Sequence, residues 1–255
     1  AATLAHGLSL AGKKVLIVDC DTQNQIRVAF DLEDSRGLAG LLKGQEPCQA
    51  VIISAKANLD IIPAGDELAS AVREILFREV AQEKTLIRSL SPILPEYDYI
   101  ILDTAPGWDI MTVNALIAAD HVITPLTMQI LSIESFAKLL KRIQPIQEEK
   151  PDLDIDIILP TIFERRIRDG KQILDQLKEF YPGKVATPVR KTVKVDRCPS
   201  VGKTIIDTLK AGPASFNGKT TMEILNVLSE NADGAAADYI DLIKRVVEVT
   251  DNGRH

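Results

Sequence analysis

The chain has 255 residues, of which 45% are hydrophobic, 26% charged and only 4% aromatic, so it is a globular protein with an aliphatic core rather than a disordered or collagen-like chain. Three widely separated cysteines, Cys20, Cys48 and Cys198, exclude a disulfide framework and a CxxC metal site and favour a reducing compartment. No apolar run approaches the roughly 18 residues that cross a bilayer, so we expect no stable membrane anchor.

Five apolar runs of strand length alternate with amphipathic helical patterns. The runs span 15–19, 59–63, 97–103, 121–126 and 155–160, and they are rich in β-branched residues and nearly continuous, which is typical of parallel strands covered on both faces. The helical patterns span 67–90, 132–147, 170–180 and 235–249. This alternation predicts an α/β fold with a doubly wound, mostly parallel sheet and helices on both faces, in a single domain over residues 1–255.

Two of the predicted strands end in aspartates. Asp19 and Asp21 follow the first strand in VLIVDCDTQNQ, and Asp103 ends the third in YDYIILDTAPGWD. Parallel α/β folds bind ligands at the carboxyl ends of strands, and carboxylates this close together need a cation, water or a donor-rich ligand. An aspartate after an apolar run also has the form of a Walker B element, which holds Mg²⁺. The alternative at each position is a cap on the following turn.

Together with PSVGKTI at 199–205, these segments resemble the ParA/Soj family of deviant Walker ATPases. VLIVDCDTQNQ is similar to the family element VLLIDLDPQGN, and YDYIILDTAPGWDIMTVNALIAADHVITPL is similar to YDYIIIDTPPSLGLLTxNALxAADxVlIPv. LPTIFERRIRDGKQILDQL and the final helix also match, so the resemblance covers essentially the whole chain. It implies a P-loop NTPase fold and an ATPase that positions DNA or other cargo in the bacterial cytoplasm, in association with the nucleoid.

The family's phosphate-binding loop, KGGxGKTT, has no counterpart in the 255 residues. Such a loop needs GxxxxGK[ST], because its backbone N–H groups surround the β-phosphate. Five residues before Gly202 stands Arg197, and five before Gly218 stands Pro213, so neither internal GKT triplet qualifies. We expect an N-terminally incomplete domain whose first strand and P-loop precede Ala1. Without that central strand, two inner strands would lack a ladder partner. The alternative is a pseudo-ATPase with a remodelled sheet edge.

The resemblance also implies residue roles, with ATP and Mg²⁺ as cofactors. Asp21 aligns with the catalytic aspartate that orients the attacking water, Asp19 supports the metal and the nucleotide, and Asp103 is the Walker B carboxylate. The segment RKTVKVDRCP stands where the family cradles adenine but keeps the pattern PRNVRLSEAP only in part. The remaining nucleotide-binding candidates are Arg190, Thr192, Pro199 and Asn114. For Asn114, in the motif NAL, a dimer contact and a purely structural role are the alternatives.

Charge is distributed unevenly along the chain. Residues 161–220 contain 13 Lys/Arg and 6 Asp/Glu and carry a net charge of +7. The rest of the chain contains 17 Lys/Arg and 30 Asp/Glu and carries a net charge of −13, so one basic segment stands within an otherwise acidic chain. The resemblance assigns DNA contacts to Arg166 and Lys194, and the basic segment adds Arg165, Arg168 and Arg197. Such phosphate contacts give affinity without sequence readout. The implied partners are a second copy on ATP, nonspecific double-stranded DNA and a cargo-bound activator; the alternative is a nucleotide-independent DNA-binding or scaffold protein.

Overall fold

The computed structural model describes residues 1–33, 35–77, 81–209, 216 and 218–252. The strands of its larger sheet are β1 Val15–Asp19, β2 Ile53–Lys56, β3 Leu59–Ile62 and β4 Tyr99–Asp103. They lie in the order β2-β3-β1-β4, in which β1 pairs in parallel with both β3 and β4, and β2 pairs antiparallel with β3. The sequence predicted these strands except β2.

A smaller parallel sheet contains β5 (Val122–Thr127) and β6 (Ile155–Thr161). Within the described ranges, no strand joins β4 to β5. The side chains of both strands are correspondingly half-buried for the most part, whereas every residue of β1 is buried. A doubly wound fold ordinarily has one continuous sheet, whereas here the strands form two sheets, with the break between β4 and β5.

Helices cover both faces of the larger sheet. They are α1 Ala2–Leu10, α2 Gln25–Ala29, α3 Gly37–Leu42, α4 Leu68–Leu76, α5 Thr85–Leu90, α6 Ile110–Ala118, α7 Ile130–Glu149, α8 Arg168–Phe180, α9 Val193–Arg197, α10 Thr221–Glu230 and α11 Gly234–Asn252. Successive residues of β1 point to opposite faces. Val15 and Ile17 pack in one apolar cluster with α1, α10 and α11, whereas Leu16 and Val18 pack in another with α3 to α6. This confirms the predicted doubly wound α/β class.

The helical pattern at 67–90 is divided in the structure. It forms α4 and α5, residues 78–80 lie outside the described ranges, and Ala81 has a left-handed backbone (φ 56°) ahead of a 3-10 turn over Gln82–Lys84. The prediction of one continuous helix there was wrong. In the described residues, no helix has both the length and the hydropathy needed to cross a bilayer.

Candidate functional site

Asp19 and Asp103 end two neighbouring parallel strands. The register of β1 and β4 pairs the two residues directly, and the backbone N–H of Cys20 donates to the carbonyl oxygen of Asp103 at 2.8 Å. The parallel pairing therefore brings both carboxylates to the carboxyl edge of the sheet, where ligands of such folds bind. We call this the aspartate edge; it comprises Asp19, Asp21 and Asp103.

The carboxylate of Asp19 holds the turn that follows β1. It is fully buried, and its two oxygens accept one hydrogen bond each, from the backbone N–H of Asp21 at 3.0 Å and from that of Ile26 at 3.1 Å. Burial, with smaller contributions from the charges of Asp103 and Asp21, raises the pKa of Asp19 to about 6 in spite of the two backbone donors, which lower it. A cation at this edge would stabilise the ionised form.

Asp21 is half-buried at the start of the same turn. Its carboxylate accepts from the backbone N–H of Gln23 at 2.9 Å, and its carbonyl oxygen accepts from the backbone N–H of Asn24 at 3.0 Å. Asn24 adopts a left-handed backbone (φ 52°), which asparagine tolerates better than most residues, and its buried Oδ1 has no hydrogen-bond partner in the described residues. Sequence reasoning missed Asn24, although an Asn within a strand-to-helix turn is the pattern that would have indicated it.

These side chains fit Mg²⁺ in the kind of donor they offer. Carboxylate and amide oxygens are the hard ligands that Mg²⁺ prefers, and the ion usually binds one or two carboxylates, several waters and the phosphates of its substrate. Among the described residues, no group of three or more His, Cys, Asp or Glu side chains could hold a metal by itself. The donor set is therefore suited to an ion held largely through water and phosphate oxygens.

Cys20 lies between the two aspartates but is not a candidate nucleophile. It is buried, and burial together with the charges of Asp19 and Asp103 raises the pKa of its thiol well above the usual value. The thiolate needed for nucleophilic attack is therefore disfavoured. The residue fills space beneath the turn.

Asn114 lies in the interior of α6 and is fully buried. Its Oδ1 accepts from the backbone N–H of Leu86 at 3.0 Å, and its Nδ2 donates to the carbonyl oxygens of Gln82 at 2.9 Å and Ile110 at 2.8 Å. The amide is thus occupied in attaching the segment before and at the start of α5 to α6. This arrangement favours the structural alternative for Asn114 over a nucleotide contact.

The other nucleotide-binding candidates lie after β6. The guanidinium of Arg190 makes a bidentate pair with the buried carboxylate of Asp238 in α11, at 2.7 and 2.8 Å, and this pairing raises the pKa of Arg190. Thr192 caps α9 by accepting from the backbone N–H of Lys194. Pro199 begins an exposed 3-10 turn that contacts α2, which follows the Asp19 turn. Their nucleotide roles stay predictions.

Comparison with known proteins identifies the family. Residues 1–155 match a family model described as AAA domain. The chain is 31% identical over 205 residues to sporulation initiation inhibitor protein Soj of Bacillus subtilis, a match that covers 78% of this chain and 81% of that protein. The chain belongs to the ParA/Soj family. It is also 30% identical over 230 residues to the chromosome-partitioning ATPase Soj of Treponema pallidum, covering 88% of this chain and 90% of that one.

Solved structures support the same fold for this ParA/Soj family member. A putative plasmid partition protein from Borrelia burgdorferi bound to AMPPNP aligns with a TM-score of 0.71 at 22% identity and covers 98% of this chain and 91% of that one. Cobyrinic acid a,c-diamide synthase from Mycobacterium smegmatis, with bound ATP analog and magnesium, aligns with a TM-score of 0.67 at 25% identity, covering 79% and 84%. The family's α/β fold is thus confirmed.

The predicted DNA-binding residues of this family member lie on two adjacent surface segments. The backbone N–H of Phe163 donates to Val189 at 3.0 Å, and that of Lys191 donates to Phe163 at 3.2 Å, so the β6–α8 loop runs beside the segment that leads into α9. The cations themselves are all exposed. The loop and the start of α8 carry Arg165, Arg166 and Arg168, and α9 carries Lys194 and Arg197.

Proposed function

We propose that this chain is an ATP- and Mg²⁺-dependent ATPase that positions a cargo in the bacterial cytoplasm. The observation that carries the proposal is the direct pairing of Asp19 with Asp103 at the carboxyl edge of the sheet, next to the turn that presents Asp21. Partition ATPases among the relatives, and structural relatives with a bound ATP analog, support the assignment.

Each aspartate has a separate task in the proposed reaction. Bound Mg²⁺ supplies charge neutralisation at the phosphates, which is what phosphoryl transfer chiefly needs. The carboxylate of Asp103 would hold the ion through water, and that of Asp21 would accept a hydrogen bond from the attacking water and orient it. Asp19 keeps the Asp21 turn in place through its two backbone contacts. Its own contribution to the ion is electrostatic.

Hydrolysis also requires a phosphate-binding loop, and the 255 residues contain no GxxxxGK[ST] sequence. We propose that residues ahead of Ala1 supply the loop, with a strand that pairs with both β4 and β5. The second candidate function is a nucleotide-independent DNA-binding or scaffold protein, which the missing motif favours. ATP binding by a chain that includes the upstream residues distinguishes the two.

The proposed DNA contact involves exposed cations on the surface rather than the aspartate edge. We propose that two copies associate on ATP and bind double-stranded DNA of the nucleoid nonspecifically through the exposed cations of the β6–α8 loop and α9. A cargo-bound activator then stimulates hydrolysis and releases the DNA. The exposure of these cations and the net charge of +7 over 161–220 support the DNA contact.

The test of the reaction is Asp21→Ala in a chain that includes the P-loop. We expect ATP turnover to fall by a factor on the order of 10² or more, because the water loses its orienting acceptor, while ATP affinity stays within about twofold. A phosphate-release assay and equilibrium nucleotide titration measure the two quantities.

Asp152→Ala is the matched control, since this exposed aspartate lies between α7 and β6, outside the aspartate edge. The control should turn over ATP like the unmodified chain. Unchanged turnover in the Asp21 variant would remove Asp21 from the mechanism. Failure of the chain with its P-loop to bind ATP at all would favour the scaffold function instead.

A further inference from the structure

Large aliphatic side chains are exposed beside the carboxyl ends of β5 and β6. Ile130 and Leu131, at the start of α7, are 70% and 73% exposed, and Ile162 and Ile167, between β6 and α8, are 57% and 49% exposed. We call these four residues the aliphatic patch. Sequence reasoning missed it, because an apolar residue next to a strand usually belongs to the core.

The two halves of the aliphatic patch lie next to each other. The register of the smaller sheet pairs Thr127 with Thr161, so both chains leave the sheet at the same level. At the start of α8, a Cβ built on Gly170 would lie 3.5 Å from Cβ of Met128, which places α8 directly against the β5–α7 connection. The patch is therefore one surface made from two loops.

Ile162 has a left-handed backbone, with φ 52°. A β-branched residue is a genuine outlier in this region, because its Cβ substituents crowd the backbone. Strain of this kind is typically found at binding surfaces and switch segments. Here the strained backbone presents an aliphatic side chain to solvent, where burial within the chain does not compensate for the strain.

Three arginines are interleaved with the aliphatic patch. Arg165 and Arg166 lie between Ile162 and Ile167, and Arg168 follows; all are exposed, and none has an ion pair or side-chain hydrogen bond among the described residues. Phosphates of DNA would satisfy the guanidinium groups but would gain nothing from the aliphatic side chains. Exposed guanidinium groups and aliphatic side chains on one surface favour a partner that offers both carboxylates and an apolar face.

We propose that the aliphatic patch and Arg165, Arg166 and Arg168 bind an acidic amphipathic helix of a partner protein. Apolar residues at i, i+3 and i+4 of such a helix would cover the patch, and its carboxylates would pair with the guanidinium groups in bidentate geometry. The four residues of the patch include no aromatic side chain of the kind that anchors proteins at a lipid surface, which disfavours a membrane as the partner.

This assignment rests on the proposed function in one respect, namely that the same arginines contact DNA. An acidic helix on these side chains competes with DNA phosphates for them. A partner that carries such a helix would therefore release the protein from DNA by direct displacement. The aliphatic patch would give that partner an affinity that salt does not abolish, because apolar contacts are not screened.

The test uses a synthetic helix of about 18 residues, or about five turns, with Leu on one face and Glu on the other. Fluorescence anisotropy with the full chain should detect its binding, and a peptide with Lys in place of Glu should not bind. Ile130→Ser with Leu131→Ser should weaken binding about tenfold or more. Leu76→Ser with Phe77→Ser, at apolar residues at the end of α4 that are exposed to 52% and 87%, should leave binding unchanged.

In a second measurement, the acidic peptide should displace a labelled DNA duplex from the unmodified chain but not from the Ile130/Leu131 variant at the same peptide concentration. Made in a chain that includes the P-loop, that variant should keep the ATP turnover and DNA affinity of the unmodified chain, which separates this proposal from the proposed function. If the peptide binds at the patch but the chain binds no DNA, the docking site stands and the DNA part of the proposed function fails.

Three results would overturn the docking site. The first is equal binding of the Lys and Glu peptides. The second is binding of phosphatidylglycerol vesicles that is lost in the Ile130/Leu131 variant, because the patch would then serve a lipid surface. The third is a change in self-association of that variant in sedimentation velocity, because the patch would then be an interface between copies.

Discussion

Asp19 contributes to the fold and to the candidate site at the same time. Its buried carboxylate accepts two backbone hydrogen bonds that hold the Asp21 turn, and burial raises its pKa to about 6. At neutral pH it is therefore ionised in a place where ionisation is costly, beside Asp103 and Asp21. A bound cation would reduce that cost, so ligand binding and the free energy of unfolding are linked through this residue.

We predict a pH dependence that Asp19→Asn removes. The native pKa of about 6 lies above the ordinary 3.8, so the native state binds more protons than the unfolded state between these values. The stabilisation from protonated Asp19 is complete below about pH 4 and is lost as the pH rises through 6, a change on the order of 2–3 kcal/mol.

Urea unfolding from pH 4 to pH 7 without metal measures this component as the difference between the unmodified chain and the Asn variant. Asp152→Asn, at an exposed position, is the control and should track the unmodified chain. A difference in the free energy of unfolding that stays constant across this range would contradict the raised pKa of Asp19.

At the scale of elements, α11 anchors the extended segment that precedes α9. The carboxylate of Asp238 accepts from the backbone N–H of Arg190 at 3.0 Å and from two guanidinium nitrogens of the same residue. Asp238 is 5% exposed, so removing it would leave three donors without their acceptor. The attachment orders the chain that carries Lys191, Thr192 and the basic helix α9.

We predict that Asp238→Ala lowers the free energy of unfolding by about 2 kcal/mol, because hydrogen bonds to charged groups contribute about 1.5–3 kcal/mol and the arginine is partly solvated. Asp241→Ala, one turn further on the exposed side of α11, should change it by no more than about 0.5 kcal/mol. Chemical denaturation measures both. An effect of Asp238→Ala as small as that of the control would show that the pair does not stabilise the segment.

Sequence reasoning predicted elements better than contacts. Uninterrupted β-branched runs identified β1 and β3 to β6, but the four-residue β2, ISAK, has too little apolar character to be recognised and forms by pairing with β3. The fold class was enough to predict that Asp19 and Asp103 share an edge. The hydrogen-bond partners of Asn114 and Arg190 could not be predicted, because Leu86 and Asp238 lie in distant segments and no sequence pattern indicates that these segments meet. The exposure of Ile162 could not be predicted either, because it depends on the left-handed backbone of that residue.

At the scale of the whole molecule, the charge asymmetry determines how the chain approaches a polyanion. In the proposed DNA contact the acidic body would repel the duplex, so adhesion would depend on the exposed cations of the β6–α8 loop and α9. Because these two segments run side by side, their charges would act on the same stretch of duplex. Binding of this kind releases counterions and is steeply weakened by salt.

We predict that Arg166→Glu with Lys194→Glu abolishes nonspecific duplex binding at physiological salt, while ATP turnover is kept in a chain that includes the P-loop. A salt titration by anisotropy below physiological salt should show the slope of log K against log salt falling by about 2 as the two phosphate contacts are lost. Arg73→Glu with Lys84→Glu makes the same charge change at exposed positions outside the basic segment and should reduce affinity far less. Equal losses in both variants would mean that net charge alone governs binding.

The division of the sheet between β4 and β5 also affects how the 255-residue chain behaves at high concentration. β4 and β5 each have one edge that pairs with no other strand in the described ranges, and both strands contain apolar residues such as Ile101 and Ile123. Open edges of this kind are templates for extended segments of neighbouring molecules and lead to strand capture and aggregation. Such aggregation would persist at high ionic strength, where contacts made by the arginines dissociate, so turbidity at raised salt distinguishes the two kinds of association.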